Sequence, residues 1–131
     1  MKLSSGFDFC LGLTDKGKLY AWGLNDYGQL GHNDNLFDSN PRQLLDLNRY
    51  NITNISCGDN FAAVVDDKGR LFTWGYGNDG QLGHGNKSDL AYPMIVQTDK
   101  PVKQVSCGDF HTGFITQDGE LYMFGTGKYG C

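Results

Sequence analysis

Short apolar runs separated by turn residues dominate the pattern of the sequence. Residues 61–65, Phe-Ala-Ala-Val-Val, form a continuous apolar run, which is typical of a strand buried on both faces. Further along, Leu71 and Thr73 would face one side of a strand. Phe72 and Trp74 would then face the other side. Because no stretch of the chain shows a helical period, the pattern predicts an all-β fold.

The strand pattern returns about every 50 residues, which indicates a repeat architecture. Its most regular segment occurs as LYAWG at 19–23, LFTWG at 71–75 and LYMFG at 121–125. The repeated unit starts near Ser5, Cys57 and Cys107, and a glycine follows each of these residues. The chain therefore holds about two and a half units, and the third unit is truncated.

Each unit offers candidates for four strands. In the second unit, residues 52–56 and 93–96 flank the two central strands. In the third unit, the Asp118-Gly119 pair favours a tight hairpin between the central strands. Four short strands per repeat describe a β-propeller blade. We therefore predict that residues 1–131 form a single partial propeller domain of four-stranded antiparallel sheets, an incomplete fragment of a ring.

An incomplete propeller leaves surfaces uncovered. Its open strand edges invite pairing with other chains. Its aromatic faces, such as those carrying Trp22 and Trp74, would also lack a covering blade. We expect self-association through these open blade edges.

Some positions alternate between glycine and asparagine from one unit to the next. The position of Asn25 holds Gly77 and Gly127 in the later units, and the position of Asn33 holds Gly85. Both residue types tolerate the left-handed region of backbone conformation. The alternation predicts a positive φ at all five residues, which would shape the loops around Gln-Leu-Gly.

Composition and charge narrow the classes of function. The formal net charge is −4 and no Lys/Arg cluster occurs, so the basic stripe of a nucleic-acid binder is missing. No apolar run approaches the roughly 18 residues of a membrane span, and the start lacks the apolar core of a signal peptide. We expect an intracellular protein, cytoplasmic or nuclear, without membrane contact. The four cysteines form no Cys-x-x-Cys pair, so we expect small buried thiols and no zinc site.

Two glycine patterns resemble a nucleotide-binding fingerprint but favour another interpretation. G-x-G-x-x-G occurs at 75–80 and at 125–130, yet a helix must follow these glycines to hold a pyrophosphate. Residues 81–85 are too rich in glycine to start a helix, so we expect no cofactor. His32 and His84 end equivalent Gln-Leu-Gly motifs, and we expect them to anchor loops because ligands in separate blades cannot converge on a metal. Without a Ser-His-Asp or Cys-His arrangement, no enzyme is expected.

The repeat is similar to that of a known family. Residues 57–61 (CGDNF), 69–75 (GRLFTWG) and 79–85 (DGQLGHG) resemble the regulator-of-chromosome-condensation repeat. The resemblance implies a seven-bladed propeller. It also implies one of two functions, since the founding member is a guanine-nucleotide exchange factor for the GTPase Ran and other members are protein-interaction modules. We interpret the chain as a non-enzymatic protein-protein interaction module, and exchange on a Ran-type small GTPase is the alternative.

The same resemblance suggests candidate partner-binding residues. In exchange-factor members, a Gly-Asp-x-His sequence lies on the face that meets the GTPase. Residues 108–111 fit this sequence, which makes Asp109 and His111 candidates. The second unit keeps Asp59 but has phenylalanine in place of histidine, and no insertion resembles the wedge hairpin of exchange factors. The stretches that differ most between units, 33–40 and 86–92, are further candidates for partner contact.

Overall fold

The computed structural model describes residues 1–125, which form three antiparallel β-sheets. Blade 1 contains β1 (Lys2–Ser5), β2 (Phe9–Leu13), β3 (Leu19–Gly23) and β4 (Asp38–Gln43). Blade 2 contains β5 (Ile52–Cys57), β6 (Phe61–Asp66), β7 (Leu71–Gly75) and β8 (Leu90–Ile95). The described part of blade 3 contains β9 (Val102–Cys107), β10 (His111–Thr116) and β11 (Leu121–Gly125). A 3₁₀ helix at Leu45–Leu47 lies in the link between blades 1 and 2. The predicted all-β architecture of four-stranded antiparallel blades is confirmed.

The hairpin between the two central strands has the same construction in each blade. In blade 2, Gly69 adopts φ +80° and donates its N–H to the Asp66 carbonyl oxygen at 3.1 Å. The Asp66 carboxylate also accepts the N–H of Lys68 at 3.1 Å and that of Arg70 at 2.8 Å. Gly119 repeats the turn with φ +87°, which confirms the hairpin predicted from Asp118-Gly119.

Neighbouring blades pack face to face through two apolar clusters. The cluster between blades 1 and 2 includes Leu11, Phe72 and Trp74. The cluster between blades 2 and 3 includes Leu71 and Phe114. Phe72 and Leu71 thus fall on opposite faces of β7, as the alternation of the sequence predicted. Because both faces of blade 2 are covered, β6 is buried along its whole length.

The expectation of uncovered tryptophans is wrong for one of the two residues. Trp74 is fully buried, and its Nε1 donates to the Gln29 carbonyl oxygen at 2.8 Å. Gln29 belongs to the loop that follows β3, so the Gln-Leu-Gly loop of blade 1 covers the aromatic face of blade 2. Trp22 is half-buried, because no described blade lies against its side of blade 1.

The prediction of positive φ holds at one of the two alternating positions. Asn33 has φ +61° and Gly85 has φ +78°. Asn25 and Gly77 do not have positive φ, so the prediction is wrong there, and Gly127 lies outside the described residues. The physical reason is that Asn25 and Gly77 are needed for something other than a positive φ. Asn25 is needed for its side-chain hydrogen bonds, and Gly77 is needed because neighbouring backbone packs closely against it.

Asn25 is buried and bridges its loop through its side chain. Its Nδ2 donates to the Asp34 carbonyl oxygen at 3.0 Å and to the Leu36 carbonyl oxygen at 3.0 Å, while its Oδ1 accepts the N–H of Leu30 at 3.0 Å. In blade 2, a Cβ at Gly77 would collide with the Ser88 carbonyl oxygen. At this position of the loop, the first unit therefore has the side-chain amide of Asn25, whereas in the second unit the backbone of Ser88 occupies the corresponding space beside Gly77.

Candidate protein-binding rim

A tight turn joins the first two strands of each blade, at the same end of the molecule. In the turns 6–9, 58–61 and 108–111, the glycine N–H donates to the carbonyl oxygen three residues later, at 3.0, 2.9 and 2.9 Å. The segments 24–37 and 76–89 connect strands at this end as well. We call this end the loop rim. The opposite end, the hairpin rim, carries the turns at 14–18, 67–70 and 117–120.

Backbone hydrogen bonds hold the turns of adjacent blades side by side. The Phe7 N–H donates to the Asp59 carbonyl oxygen at 2.7 Å, and the Asp59 N–H donates to the Asp109 carbonyl oxygen at 3.3 Å. Close approach requires glycine before Phe7 and before Asp59, since a Cβ at Gly6 would collide with the Gly58 carbonyl oxygen and a Cβ at Gly58 would lie 2.5 Å from the Gly108 carbonyl oxygen. Phe7, Asp59 and Asp109 therefore stand in a row on the loop rim, one in each blade.

The two aspartates of this row interact with each other. Partial burial raises the pKa of Asp59, and the charge of Asp109 and a side-chain hydrogen bond with Asp109 raise it further. Like charges in contact disfavour ionisation of both groups together. The pair is therefore an acidic spot that a basic group from a partner would stabilise.

His111 is not directed at the same spot. It occupies the position of Phe9 and Phe61, and its ring packs against Gly108, where a Cβ would collide with it. The two phenylalanines are buried, whereas His111 is half-buried and lines a cleft of about 280 Å³ on the outward face of blade 3. The structure thus brings Asp59 and Asp109 together and sets His111 against a different surface.

Sequence reasoning missed an apolar component of the loop rim. Phe7, Leu36 and Phe37 are 64%, 70% and 64% exposed. Phe7 lies next to Asp59 in the row. It occupies in the first unit the position that an aspartate occupies in the other two units. Exposed apolar side chains next to polar ones are typical of protein-binding surfaces. The signal in the sequence was the Leu36-Phe37 pair within an otherwise polar variable stretch.

The two variable stretches lie on the loop rim and are joined to each other. The Asn33 N–H donates to the Ala91 carbonyl oxygen at 2.7 Å, so the start of the first stretch is fixed to the end of the second. Residues 86–89 are exposed. The later part of each stretch, from Asp38 and from Leu90, already belongs to a strand.

The two equivalent histidines differ in their partners. Thr73 Oγ1 lies 2.7 Å from the Leu82 carbonyl oxygen and 2.8 Å from His84 Nε2. Because the hydroxyl donates its single proton to the carbonyl, it accepts a hydrogen bond from the Nε2–H of His84. His84 is therefore a loop anchor, as predicted. In blade 1 the position of Thr73 holds Ala21, and His32 Nε2 has no hydrogen-bond partner within residues 1–125.

The equivalent cysteines are thiols. Burial raises the pKa of Cys57 and of Cys107 to about 12. The thiolate needed for nucleophilic attack is therefore absent at neutral pH. Cys10, Cys57 and Cys107 form no disulfide with one another.

The described part of the chain contains neither a metal-binding cluster nor a membrane-spanning helix. Across residues 1–125, no three His, Cys, Asp or Glu side chains converge in a way that would hold a metal ion. No helix in the same residues is long and apolar enough to cross a membrane. The second G-x-G-x-x-G pattern, at 125–130, extends beyond the described residues.

Four-stranded blades that stack face to face, with their first strands adjoining, define a segment of a repeat-built β-propeller. Solved structures share this fold. Human WBSCR16 is 27% identical, with a TM-score of 0.90 over 95% of this chain and 32% of that chain. Prp20p from Saccharomyces cerevisiae is 25% identical, with a TM-score of 0.85 over 97% of this chain and 33% of that chain.

Family models identify the repeat. One model of the Regulator of chromosome condensation (RCC1) repeat matches residues 16–65 and 68–115. A second model of the same repeat matches residues 2–29, 52–81 and 102–131. The chain belongs to the RCC1 repeat family, which confirms the resemblance seen in the sequence.

Curated relatives in this family differ in kind and are much longer. The E3 ubiquitin-protein ligase HERC2 of Homo sapiens is 37% identical over 128 residues, which are 92% of this chain and 3% of the ligase. The Ultraviolet-B receptor UVR8 of Arabidopsis thaliana is 33% identical over 131 residues, 98% of this chain and 30% of the receptor. Protein RCC2 homolog of Danio rerio is 36% identical over 120 residues, 90% of this chain and 24% of that protein. The chain thus spans less than a third of each of these relatives.

Proposed function

We propose that the chain is a non-enzymatic protein-protein interaction module that binds its partner at the loop rim. The observation that carries this proposal is the row formed by Phe7, Asp59 and Asp109. Backbone hydrogen bonds between blades fix the spacing of these residues, so their side chains are presented without a further loss of backbone entropy. A preorganised row of this kind suits recognition better than it suits covalent chemistry.

The chemistry of the row indicates the chemistry of the partner. Burial and then the charge of Asp109 raise the pKa of Asp59, and a lysine or arginine placed between the two aspartates would relieve the repulsion between them. The exposed rings of Phe7 and Phe37 would bury apolar area beside this contact. The best fit is a partner with a basic side chain next to an apolar one.

Relatives support a protein partner. Prp20p from Saccharomyces cerevisiae binds Gsp1p and histones. A second structure contains yeast RCC1 (Prp20) bound by Kap60. By analogy, we infer a protein partner for this chain and an intracellular location, cytoplasmic or nuclear.

The first experiment compares the two rims. The double variant Asp59→Asn/Asp109→Asn removes both charges of the loop rim. The matched control Asp67→Asn/Asp118→Asn removes two exposed charges of the hairpin rim. Partners captured by the wild-type chain and identified by mass spectrometry should be lost with the first variant and kept with the control, and titration calorimetry with the purified partner should then show the same difference. Equal binding by both double variants would exclude the acidic pair as the binding site.

Nucleotide exchange on a Ran-type small GTPase is the second candidate function. It rests on the family resemblance of residues 108–111 and on the binding of Prp20p to Gsp1p. Such exchange would act by wedging and electrostatics at the GTPase, and it needs no covalent step. Because the chain is less than a third of these relatives, the test requires the longest available form of the protein.

The exchange assay measures release of fluorescent GDP from purified Ran. If the protein is an exchange factor, release should accelerate by orders of magnitude, and Asp59→Ala, Asp109→Ala and His111→Ala should each slow it. Asp118→Ala on the hairpin rim should leave the rate unchanged. If release is not accelerated, the exchange function is excluded and the interaction module stands. If all three variants act like wild type, those residues have no part in exchange.

A further inference from the structure

The tight turn of blade 2 joins the acidic pair to a pair of tyrosines on the loop rim. The Tyr76 N–H donates to the Asn60 carbonyl oxygen at 2.8 Å, so Tyr76 lies beside the residue that follows Asp59. The rings of Tyr76 and Tyr27 pack edge to face, with centroids 4.8 Å apart and an interplanar angle of 68°. Tyr27 is 39% exposed and Tyr76 is half-buried. The row of the loop rim therefore continues from carboxylates onto open aromatic rings.

The tyrosine pair lies at a junction between two blades that each contain four strands. Tyr27 comes from the loop of blade 1 and Tyr76 from the loop of blade 2. The loop of blade 1 packs closely there, since a Cβ at Gly28 would lie 2.7 Å from Ala91 Cβ. The position and exposure of the pair are therefore set by contacts within the junction of blades 1 and 2.

The hairpin end of blade 2 shows how this chain completes an aspartate that lies near a tyrosine. Arg70 Nε donates to Asp66 Oδ2 at 2.6 Å, and the guanidinium carbon of Arg70 lies 4.7 Å from the centroid of the Tyr50 ring. One guanidinium makes both contacts because its edge carries the N–H donors and its face stacks on aromatic rings. The Asp66 carboxylate is buried under this arrangement.

Lysine has a different role in the same molecule. Lys100 Nζ lies 2.9 Å from a carboxylate oxygen of Asp118 and 2.9 Å from one of Glu120. In the part of the chain that the structure describes, both cations that lie over an aromatic ring are arginines, Arg49 and Arg70. The combination of carboxylate and ring is thus an arginine contact in this fold.

The loop rim has the carboxylates and the rings of this arrangement but not the arginine. Its segments 6–9, 24–37, 58–61, 76–89 and 108–111 contain no arginine, and Lys87 is their single lysine. Arg42, on β4, is paired with Asp34 at 3.5 Å. The guanidinium that would complete the site has to come from another molecule.

We infer that the protein partner supplies this group, and that an arginine rather than a lysine binds between Asp59 and Asp109 with its guanidinium against Tyr76 and Tyr27. The inference rests on the function proposed for the loop rim and narrows the chemistry of the partner. Two neighbouring carboxylates suit the planar fork of a guanidinium, whereas the ammonium of lysine is a compact and strongly hydrated charge. The exposed ring of Phe7 covers the methylene groups of the arginine.

Two peptides of equal charge test the choice of cation. Acetyl-Leu-Arg-Leu-amide and acetyl-Leu-Lys-Leu-amide are titrated to millimolar concentration into isotope-labelled chain at low salt, and the amide signals of Asp59, Tyr76 and Asp109 are followed by NMR. The arginine peptide should bind about threefold to fivefold more tightly, as expected for one exposed cation–π contact. Both peptides should bind more weakly as the salt concentration rises.

Variants of the tyrosines assign the preference to the rings. Tyr76→Leu should reduce the affinity for the arginine peptide to that for the lysine peptide, whereas Tyr76→Phe keeps a ring and should keep the preference. Tyr27→Leu, at the more exposed ring, tests the same contact if Tyr76→Leu lowers the urea midpoint. Tyr92→Leu removes a tyrosine that is 40% exposed on β8 and serves as the matched control without effect.

The outcomes separate this inference from the function proposed for the loop rim. If the lysine peptide binds at least as tightly and Asp59→Asn/Asp109→Asn abolishes binding of both peptides, the arginine inference is wrong and the loop rim stands. Binding that this double variant leaves unchanged would overturn both. A preference for arginine that persists in Tyr76→Leu and Tyr27→Leu would overturn the inference. So would the failure of both peptides to bind, and partner capture with the two double variants would then decide the role of the loop rim.

Discussion

Trp74 Nε1 donates a hydrogen bond to the carbonyl oxygen of Gln29, which lies 45 residues earlier in the chain, at 2.8 Å. At the next junction the equivalent Gln81 carbonyl oxygen accepts a hydrogen bond from Thr112 Oγ1, at 2.7 Å. Phe124 there replaces tryptophan and has no N–H to donate. The position of Thr112 holds Ala62 in blade 2. The loop carbonyl is therefore paired at both junctions, with the indole of Trp74 at one and with the hydroxyl of Thr112 at the other.

This compensation predicts the effects of exchanging the two solutions. Trp74→Phe leaves the Gln29 carbonyl buried without a partner and should lower the free energy of unfolding by about 1–3 kcal/mol. Adding Ala62→Thr should recover part of this loss, because its hydroxyl would take the place of the Thr112 hydroxyl. Urea unfolding followed by circular dichroism measures both changes. As a control, Trp22→Phe on the open face should cost less than about 0.5 kcal/mol. An Ala62→Thr change that fails to help Trp74→Phe would contradict the explanation.

The hydroxyl of Thr73 should be more important than its methyl group. Thr73→Ala reproduces the alanine of blade 1 and removes the partner of both His84 and the Leu82 carbonyl. The expected loss is about 1–3 kcal/mol in the free energy of unfolding. Thr73→Ser keeps the hydroxyl and should recover most of it, as measured by urea unfolding. Equal losses for the two variants would show that packing of the methyl group dominates.

Stability should fall as the solution becomes mildly acidic. Burial lowers the pKa of His84, and burial followed by the charge of Arg42 lowers the pKa of His32. In the unfolded chain these two histidines have a pKa near 6.5. Below that pH the unfolded chain therefore binds more protons than the folded chain. The free energy of unfolding then decreases as the pH falls from about 6.5 through the lower pKa of the folded state.

His84→Gln tests the source of this pH dependence. Glutamine keeps an N–H group for Thr73 but does not titrate, so the slope of stability against pH should become shallower below about pH 6.5. His111→Gln serves as the comparison at a surface position. Urea midpoints measured at several pH values distinguish the two variants. An unchanged slope in His84→Gln would assign the acid sensitivity to other groups.

Asp59→Asn should raise stability at neutral pH while it weakens partner binding. The pKa of Asp59 is higher in the folded chain than the value of about 3.9 expected in the unfolded chain. Ionisation of Asp59 therefore lowers the free energy of unfolding as the pH rises above about 3.9. Asparagine removes this cost, so the thermal midpoint should be higher than in wild type at neutral pH. The difference should shrink as the pH falls, because protonation of Asp59 removes its charge in wild type as well. Asp118→Asn, which loses an ion pair with Lys100, should show no such gain. A lower midpoint for Asp59→Asn at neutral pH would contradict the repulsion.

The blades could be predicted from the sequence because the residues that specify each strand and turn are close together in the chain and recur in every unit. Apolar alternation in 71–75 fixes which side of a strand each residue faces, and the glycine at 69 fixes the hairpin before it. The same logic failed at Asn25 and Gly77. An asparagine–glycine alternation has two physical causes, positive φ or a close approach that a side chain can replace, and only the surrounding backbone shows which one applies.

The sequence named three candidate site residues, and their partner-binding role stays a prediction. Their arrangement came from the structure, in which Asp59 and Asp109 meet and His111 packs against Gly108. Trp74 was expected to be uncovered, and a loop from the preceding blade buries it. Such contacts join residues about 45–51 positions apart.

By itself, the sequence determined the all-β fold, the repeat of about 50 residues and the family, since strand period and turn chemistry act over a few residues. The tertiary structure decided that the face carrying Trp74 is covered and that Asp59 and Asp109 meet while His111 lies against a different surface. These outcomes depend on how one blade stacks on another, and burial and hydrogen bonding between blades decide that stacking.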